Sequence, residues 1–190
     1  PCLEVVGELR PPVPETPLIL MGYYNPILCY GLERFAAHGQ RLGLDGVIGA
    51  DLPPEEVDPL RSVCAPRGIH IIPLLAPTST DDRIATACHA ATGFIYCVSV
   101  AGITGARDTL APSAFHLLAR VRRHTSLPLA VGFGVSRREH IEAIAGHAQA
   151  AIVGSALLRV IEESPRSQIV PRAKQFVAGL LEAASPPKEA

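Results

Sequence analysis

The sequence predicts an α/β protein built around a parallel β-sheet. Six short apolar runs of strand type begin at intervals of roughly 23 to 33 residues, and a helical segment follows each of them. Parallel strands require long crossover connections of this kind, and no hairpin signal interrupts the series. The predicted strands are 17–21, 46–50, 69–75, 94–98, 127–131 and 150–153. The chain therefore reads as six consecutive βα units.

A sheet of this type is either open and doubly wound or closed as a (β/α)8 barrel, the TIM barrel. The barrel is favoured because no single Gly-x-Gly-x-x-Gly turn dominates and functional-looking residues end nearly every strand. Such barrels need about 250 residues, so on the order of 60 are missing from this 190-residue chain. The chain begins inside a helical pattern, so we expect the missing part at the front. The prediction is a TIM barrel lacking its first two βα units.

The elements follow in order within one partial domain. Residues 1–16 predict a helix remnant and a proline-rich linker, residues 17–163 the strands with their helices, and residues 164–190 a last helix and a polar tail. Asn25-Pro26 predicts a turn after the first strand, and Pro53-Pro54 opens the second helix. Ser136 and Glu139 have the spacing of a capping box. The predicted inward faces are Leu32, Phe35, Ala36 and Leu42; Val57, Leu60, Val63 and Cys64; Ile84, Ala87, Cys88 and Ala91; and Ala114, Leu117, Leu118 and Val121.

Composition narrows the class of function. Hydrophobic residues make up 48% of the chain, enough for a large core, and the net charge of -1 offers no electrostatic footprint for nucleic acid or an anionic membrane. No apolar run has transmembrane length, and no signal-peptide pattern opens the chain. Five scattered cysteines contain no C-x-x-C pair, which argues against a zinc site or a disulfide framework. We expect a cytoplasmic protein that binds no nucleic acid and no membrane.

Two successive strand-to-helix turns carry glycine followed by serine. The first reads Val131-Gly132-Phe133-Gly134-Val135-Ser136, and the second Val153-Gly154-Ser155. Glycine lets the backbone approach a ligand closely, and the N–H groups that begin a helix favour an anion. An ordinary tight turn would explain either one alone. The pair, at the ends of consecutive parallel strands, predicts one phosphate held between neighbouring loops.

At this point the sequence resembles the tryptophan synthase alpha chain family, the indole-3-glycerol phosphate lyases. Seven segments in the family's order carry the resemblance across nearly the whole chain. They are Tyr23-Tyr24-Asn25-Pro26-Ile27, Ala50-Asp51-Leu52-Pro53-Pro54-Glu55-Glu56, Ala76-Pro77-Thr78, Gly93-Phe94-Ile95-Tyr96, Gly102-Ile103-Thr104-Gly105-Ala106-Arg107, Val131-Gly132-Phe133-Gly134-Val135-Ser136 and Val153-Gly154-Ser155-Ala156.

The resemblance implies that the strands are barrel strands three to eight and that the substrate is a phosphorylated indole. The residues that it places around the phosphate are Gly105, Gly132, Gly134, Gly154 and Ser155, and it makes Phe133 a substrate-binding residue. It places Tyr96 and Thr104 beside the substrate, and Tyr23 and Asn25 at the end of strand three. Asp51, after strand four, would position either the lid or the residues around the indole. For Tyr24 a place in the core is favoured, whereas for Asp51 a helix cap and a functional role are equally compatible with the sequence.

The family's reaction is a retro-aldol cleavage that yields indole and glyceraldehyde 3-phosphate. In the family, two carboxylates at strand two and the loop after it act as acid and base, and nothing in residues 1–16 resembles that segment. Glu4, Glu8 and Glu15 are expected to face solvent. We therefore expect these 190 residues to be inactive alone, with no catalytic acid or base and with Asp51 in a supporting role.

Two other functions stay open at this stage. A truncated alpha-like chain would still dock on a tryptophan synthase beta chain, with Asn25-Pro26-Ile27 and the loop after Asp51 as contacts; pyridoxal phosphate would belong to that beta chain, and no cofactor to this one. Another phosphate-binding barrel enzyme is the third candidate. The seven histidines have no spacing with a carboxylate partner that suggests a metal, so they are interpreted as structural.

Overall fold

The computed structural model describes residues 2–98, 112–132 and 134–181, and they form an α/β fold with parallel strands. The strands are β1 (Ile19–Gly22), β2 (Gly46–Gly49), β3 (His70–Ile71), β4 (Leu74–Leu75), β5 (Ile95–Val98), β6 (Leu129–Gly132) and β7 (Ala150–Ala151). They pair in sequence order as two sheets, β1-β2-β3 and β4-β5-β6-β7. The prediction of successive parallel βα units is confirmed.

Helices follow the strands at the expected places. They are α1 (Cys2–Leu9), α2 (Tyr24–Tyr30), α3 (Leu32–Leu42), α4 (Asp58–Cys64), α5 (Asp81–Ala90), α6 (Pro112–Arg122), α7 (Arg138–Ala145), α8 (Ser155–Glu162) and α9 (Ile169–Leu181), with short 3-10 turns at Pro54–Glu56, Ala65–Arg67 and Arg166–Gln168. The inward faces predicted for α4 and α6 are buried throughout. The predicted turn at Asn25-Pro26 is wrong: both residues lie in the first turn of α2, where proline is tolerated because its missing N–H would have no helical acceptor.

The strand predicted at 69–75 is divided into β3 and β4. Pro73 lies between them and has no N–H to donate, so the hydrogen-bond ladder is interrupted there. Its carbonyl still accepts a hydrogen bond from Tyr96 N at 3.0 Å, and Ile72 N donates to Val47 O at 3.0 Å. The backbone at the break is therefore still hydrogen-bonded on both sides, to β2 through Ile72 N and to β5 through the Pro73 carbonyl.

The core lies between the sheets and the helices, in two clusters that follow the two sheets. Val47, Ile69 and Ile71 belong to the first cluster, with α1, α3 and α4. Ile95, Cys97, Leu129 and Val131 belong to the second, with α5, α6 and α7. Because side chains alternate along a strand, those of Met21, Ile48, Ile72 and Tyr96 project from the opposite face of the sheets, where a Cβ at Gly132 would also lie. That opposite face is the side on which a barrel would enclose its interior.

The segment predicted as a linker, 11–16, is held in place by Arg10. The Arg10 guanidinium donates to the carbonyl oxygens of Val13, Pro14 and Thr16 at 3.0–3.3 Å, and also to Gly43 O. It forms an ion pair with Asp45, whose Oδ2 also accepts from Leu18 N at 2.7 Å. One charged side chain thus fixes the path from α1 into β1.

In the described residues, no helix is both long enough and apolar enough to cross a bilayer. Glu4, Glu8 and Glu15 are exposed, as expected. The described part of the chain offers no cluster of three or more metal-ligating side chains.

The five thiols are expected to fall into two reactivity classes. Cys2 and Cys29 are exposed, whereas Cys64, Cys88 and Cys97 are buried. Burial raises the pKa of Cys64 to about 11 and that of Cys97 to about 12, so the reactive thiolate is scarce at neutral pH. A disulfide reagent should titrate two thiols rapidly in the native chain and all five in denaturant. Rapid reaction of four or five thiols without denaturant would contradict this burial.

Candidate functional site

The two glycine-serine turns lie side by side at one edge of the second sheet. β6 and β7 are parallel neighbours with Val131 opposite Ala151, and Ile152 N donates to Val131 O at 2.7 Å. The residues that follow these strands therefore emerge together. Gly132 and Gly134 come from the first turn, and Gly154 and Ser155 from the second. The carboxyl edge of a parallel sheet is where such folds bind ligands.

The local geometry of each turn suits an anion. Gly134 is exposed and has a φ of +64°, a conformation that L side chains rarely adopt. α8 begins at Ser155, and Leu158 N is the first to donate within it, to Gly154 O at 3.1 Å. The N–H groups of Ser155, Ala156 and Leu157 therefore have no acceptor within the helix. Main-chain donors at the positive end of a helix therefore follow shortly after β7, at the carboxyl edge of the sheet.

Tyr96 connects this site to the interior-facing side of the sheet. Its ring lies against Gly132: a Cβ built there would be 2.5 Å from Cε2 and 2.8 Å from Cζ, and closer still to the hydroxyl oxygen. Burial raises the pKa of Tyr96, so the phenol is protonated at neutral pH and can donate a hydrogen bond. Gly132 therefore serves to admit the tyrosine ring, a different requirement from that at Gly134.

Asp51 and the residues after β1 form a second group on the other sheet. Asp51 Oδ1 accepts from Tyr24 N at 2.6 Å, so Asp51 caps α2 rather than the helix that follows it in sequence. Tyr24 is half-buried against the first core cluster, in agreement with its predicted place in the core. Tyr23 and Asn25 are exposed. A carboxylate from one loop thus fixes the start of a neighbouring helix and the two side chains beside it.

Loss of the Asp51 carboxylate should destabilise the start of α2. Asp51→Ala leaves Tyr24 N without its acceptor, and a lost helix cap costs about 0.5–2 kcal/mol in free energy of unfolding. Asp51→Asn retains an acceptor oxygen and should cost less. The free energies come from urea unfolding, with the exposed Asp82→Ala on α5 as control. Equal stability of Asp51→Ala and the native chain would exclude the capping role.

Three predicted site residues, Thr104, Gly105 and Phe133, lie outside the described residues.

The capping-box prediction for Ser136 and Glu139 is wrong, because α7 begins at Arg138 and its N-cap position is occupied by Arg137, without a side-chain cap bond. Ser136 N donates instead to Nδ1 of His140 at 3.3 Å.

His140 is a residue whose role the sequence interpretation overlooked. It precedes the core residue Ile144 by four positions, a spacing that places both on the inward face of α7. This helical spacing is the sequence feature that could have predicted the burial of His140.

The family model described as tryptophan synthase alpha chain matches residues 1–185. The chain belongs to the tryptophan synthase alpha chain family. Members of this family are lyases of tryptophan biosynthesis, and the family explains why glycine turns and strand-end polar residues occur together here.

Curated relatives agree over most of the chain. The alpha chain of Roseiflexus castenholzii is 47% identical over 176 residues, which is 93% of this chain and 67% of the relative. The alpha chain of Chloroflexus aurantiacus is 46% identical over 186 residues, 98% of this chain and 70% of the relative. The family therefore extends across both sheets, while about a third of each relative has no counterpart in the match.

Solved structures match in shape as well. A tryptophan synthase complex from Pyrococcus furiosus superposes with a TM-score of 0.84 at 34% identity, covering 95% of this chain and 72% of that one. The alpha chain from Legionella pneumophila gives 0.86 at 32% identity, covering 99% and 70%. The α/β architecture with parallel strands is thus that of the family.

Proposed function

We propose that this chain carries the phosphate side of an indole-3-glycerol phosphate site. The observation that supports it best is the pair of adjacent turns after β6 and β7, where Gly134 has a φ of +64° and α8 begins at Ser155. The dianion lies against main-chain N–H groups from both turns, including those at Gly134, Gly154 and Ser155. Gly105 and Phe133, which the resemblance assigns to substrate binding, lie outside the described residues.

In this proposal Tyr96 lies beside the substrate, and Tyr23, Asn25 and Asp51 lie toward the indole. Thr104, which the resemblance also assigns to the substrate, is outside the described residues. Tyr96 is placed by its contact with Gly132, and the Asp51 carboxylate positions α2. Asp51 therefore supports the site through helix α2 and is not a catalytic residue.

In the reaction, a base removes the proton of the glycerol hydroxyl next to the indole while an acid protonates C3 of the ring. The bond between C3 and the glycerol carbon breaks, its electron pair stays on the ring, and the hydroxyl carbon becomes the aldehyde of glyceraldehyde 3-phosphate. The turns after β6 and β7 hold the phosphate of the substrate during the reaction and that of glyceraldehyde 3-phosphate after it. No cofactor takes part in this scheme.

The experiment measures binding without turnover. Indole-propanol phosphate is titrated into the chain by calorimetry, and indole-propanol without phosphate is the matched control. We expect the phosphate to tighten binding by at least tenfold, which is about 1.4 kcal/mol. Equal affinity for the two compounds, or no binding of either, would overturn the proposal.

The 190 residues by themselves are expected not to turn over indole-3-glycerol phosphate. The family's two acid-base carboxylates have no counterpart in this sequence, and Asp51 is engaged with Tyr24 N. Release of indole is measured on the purified chain. A rate above that of a heat-denatured sample would show that a carboxylate of this chain performs the chemistry.

We propose further that the strands are the third to eighth of a TIM barrel, with the first two βα units outside this sequence. Support comes from the side chains that such units would cover: Met21 on β1 is 56% exposed, and Leu158 and Val170 on α8 and α9 are 59% and 74% exposed. Co-expression with the first two βα units of the Roseiflexus castenholzii alpha chain should yield a soluble 1:1 complex. Co-expression without complex formation would argue against this assignment.

A beta chain is the proposed protein partner. One of the matching Pyrococcus furiosus structures is a tryptophan synthase α2β2 complex, which superposes with a TM-score of 0.84. Of the predicted contacts, Asn25 and Pro26 are exposed, whereas Ile27 is buried in the first core cluster and is unavailable. Tyr23 and Leu28, 67% and 51% exposed, extend the apolar part of this surface. Pyridoxal phosphate would be bound by the beta chain and not by this chain. The cytoplasm is the proposed location of this protein.

A further inference from the structure

His140 is unusual among the described residues because it is the one charged or polar side chain in the buried interior, with 7% of its surface exposed. It lies in the first turn of α7, directly after the β6 turn that carries Gly134. A buried imidazole requires a hydrogen-bond partner, because burying an unpaired polar group is costly. Its partner is a main-chain group of that same turn.

The hydrogen bond runs from Ser136 N to His140 Nδ1 at 3.3 Å. In this hydrogen bond the Ser136 N–H is the donor and Nδ1 of the imidazole is the acceptor. The imidazole therefore acts as a fixed acceptor for the backbone of the turn.

The hydrogen bond between Ser136 N and His140 is one of three constraints on the backbone of the turn between β6 and α7. Gly134 has a φ of +64°, and Val135 is buried in the second core cluster with 1% of its surface exposed. The constraints at Gly134, Val135 and Ser136 fix three consecutive residues between β6 and α7. The bond also occupies Ser136 N, which removes this group from the donors available to an anion.

We propose that His140 is a positioning residue for the phosphate-binding turn after β6. His140 does not touch the ligand. It holds Ser136 N, so that the N–H groups of the residues before Ser136 point toward the carboxyl edge of the sheet. The proposal rests on the proposed phosphate site and adds a residue that determines its shape. Loss of the Nδ1 acceptor should loosen the turn and weaken phosphate binding.

Two substitutions separate the acceptor from the volume of the ring. His140→Asn places an amide oxygen near the position of Nδ1 but loses volume, whereas His140→Phe retains a ring and has no acceptor. We expect His140→Phe to bind indole-propanol phosphate at least tenfold more weakly than the native chain, and His140→Asn to stay within about threefold. Affinity for indole-propanol without phosphate should change little in either variant.

A role in packing alone predicts the opposite order, with His140→Phe close to native affinity and His140→Asn impaired, and that result would overturn the proposal. The exchange rate of the Ser136 amide proton provides a second readout that needs no ligand. It should rise in His140→Phe and stay low in His140→Asn; unchanged protection in His140→Phe would also overturn the proposal. Failure of the native chain to bind the phosphate compound would instead count against the phosphate site, while the amide exchange still tests the bond.

Discussion

Gly132→Ala is expected to displace Tyr96 and to reduce affinity for indole-propanol phosphate by tenfold or more. The new Cβ would lie within 2.8 Å of two ring carbons of Tyr96 and of its hydroxyl oxygen, a separation that real Cβ contacts do not reach. Because Gly132 is on a strand held by β5 and β7, the tyrosine ring has to move rather than the backbone. Overpacking of this kind costs about 1–3 kcal/mol in free energy of unfolding.

The measurement combines ligand titration with urea unfolding. Gly146→Ala is the control, because an added Cβ there meets nothing within 4 Å and the backbone is already in the right-handed helical region. The double variant Gly132→Ala/Tyr96→Ala removes the conflict, so the stability cost of the alanine at 132 should largely disappear in that background. An equal cost with and without the Tyr96 ring would show that the ring is not the obstacle.

Gly134→Val should weaken phosphate binding by about tenfold through the backbone alone. The φ of +64° at Gly134 is disfavoured for L residues by roughly 1–2 kcal/mol, and most strongly for β-branched ones. Space is not the constraint, since a Cβ at this exposed position meets nothing within 4 Å. A turn that relaxes to negative φ turns its N–H groups away from the ligand, and binding has to reverse that change.

Gly134→Asn is the matched variant, because asparagine adopts the left-handed conformation more readily than other residues with a side chain. We expect it to bind indole-propanol phosphate within about threefold of the native chain. Calorimetric titration of both variants decides the point. If valine and asparagine weaken binding equally, then the side chain itself blocks the ligand and the conformational explanation is wrong.

The sequence predicted the elements of the fold well where a periodic pattern was long. The apolar faces of α4 and α6 were predicted residue by residue, because a helix repeats its buried face every three or four positions. It was less accurate at the ends of elements. α2 begins at Tyr24 rather than after a turn at Pro26, and α7 begins at Arg138 rather than after a Ser136 cap. A proline or serine near the start of a helix is compatible with several choices of the first helical residue.

For the candidate site, the sequence indicated which turns matter but not why each residue is there. Four glycines were predicted as equivalent phosphate residues, and three of them lie in the described residues. Of these three, Gly132 admits the Tyr96 ring and Gly134 provides a positive φ. Gly154 occupies the N-cap position of α8 and has neither constraint. The difference depends on the neighbouring strand, because Tyr96 on β5 reaches Gly132 only in the register that the sheet adopts.

The sequence by itself determined the order of βα units, the buried helix faces and the family, because these are properties of local pattern and of motifs in series. The tertiary structure decided that Asp51 caps α2, that Arg10 fixes residues 11–16, and that His140 accepts from Ser136 N. The bond from Tyr24 N to Asp51 and the ion pair of Arg10 with Asp45 join separate segments, whose proximity follows from the packing of the first sheet and its helices. The third depends on where α7 begins, which is set by how that helix packs on the second sheet.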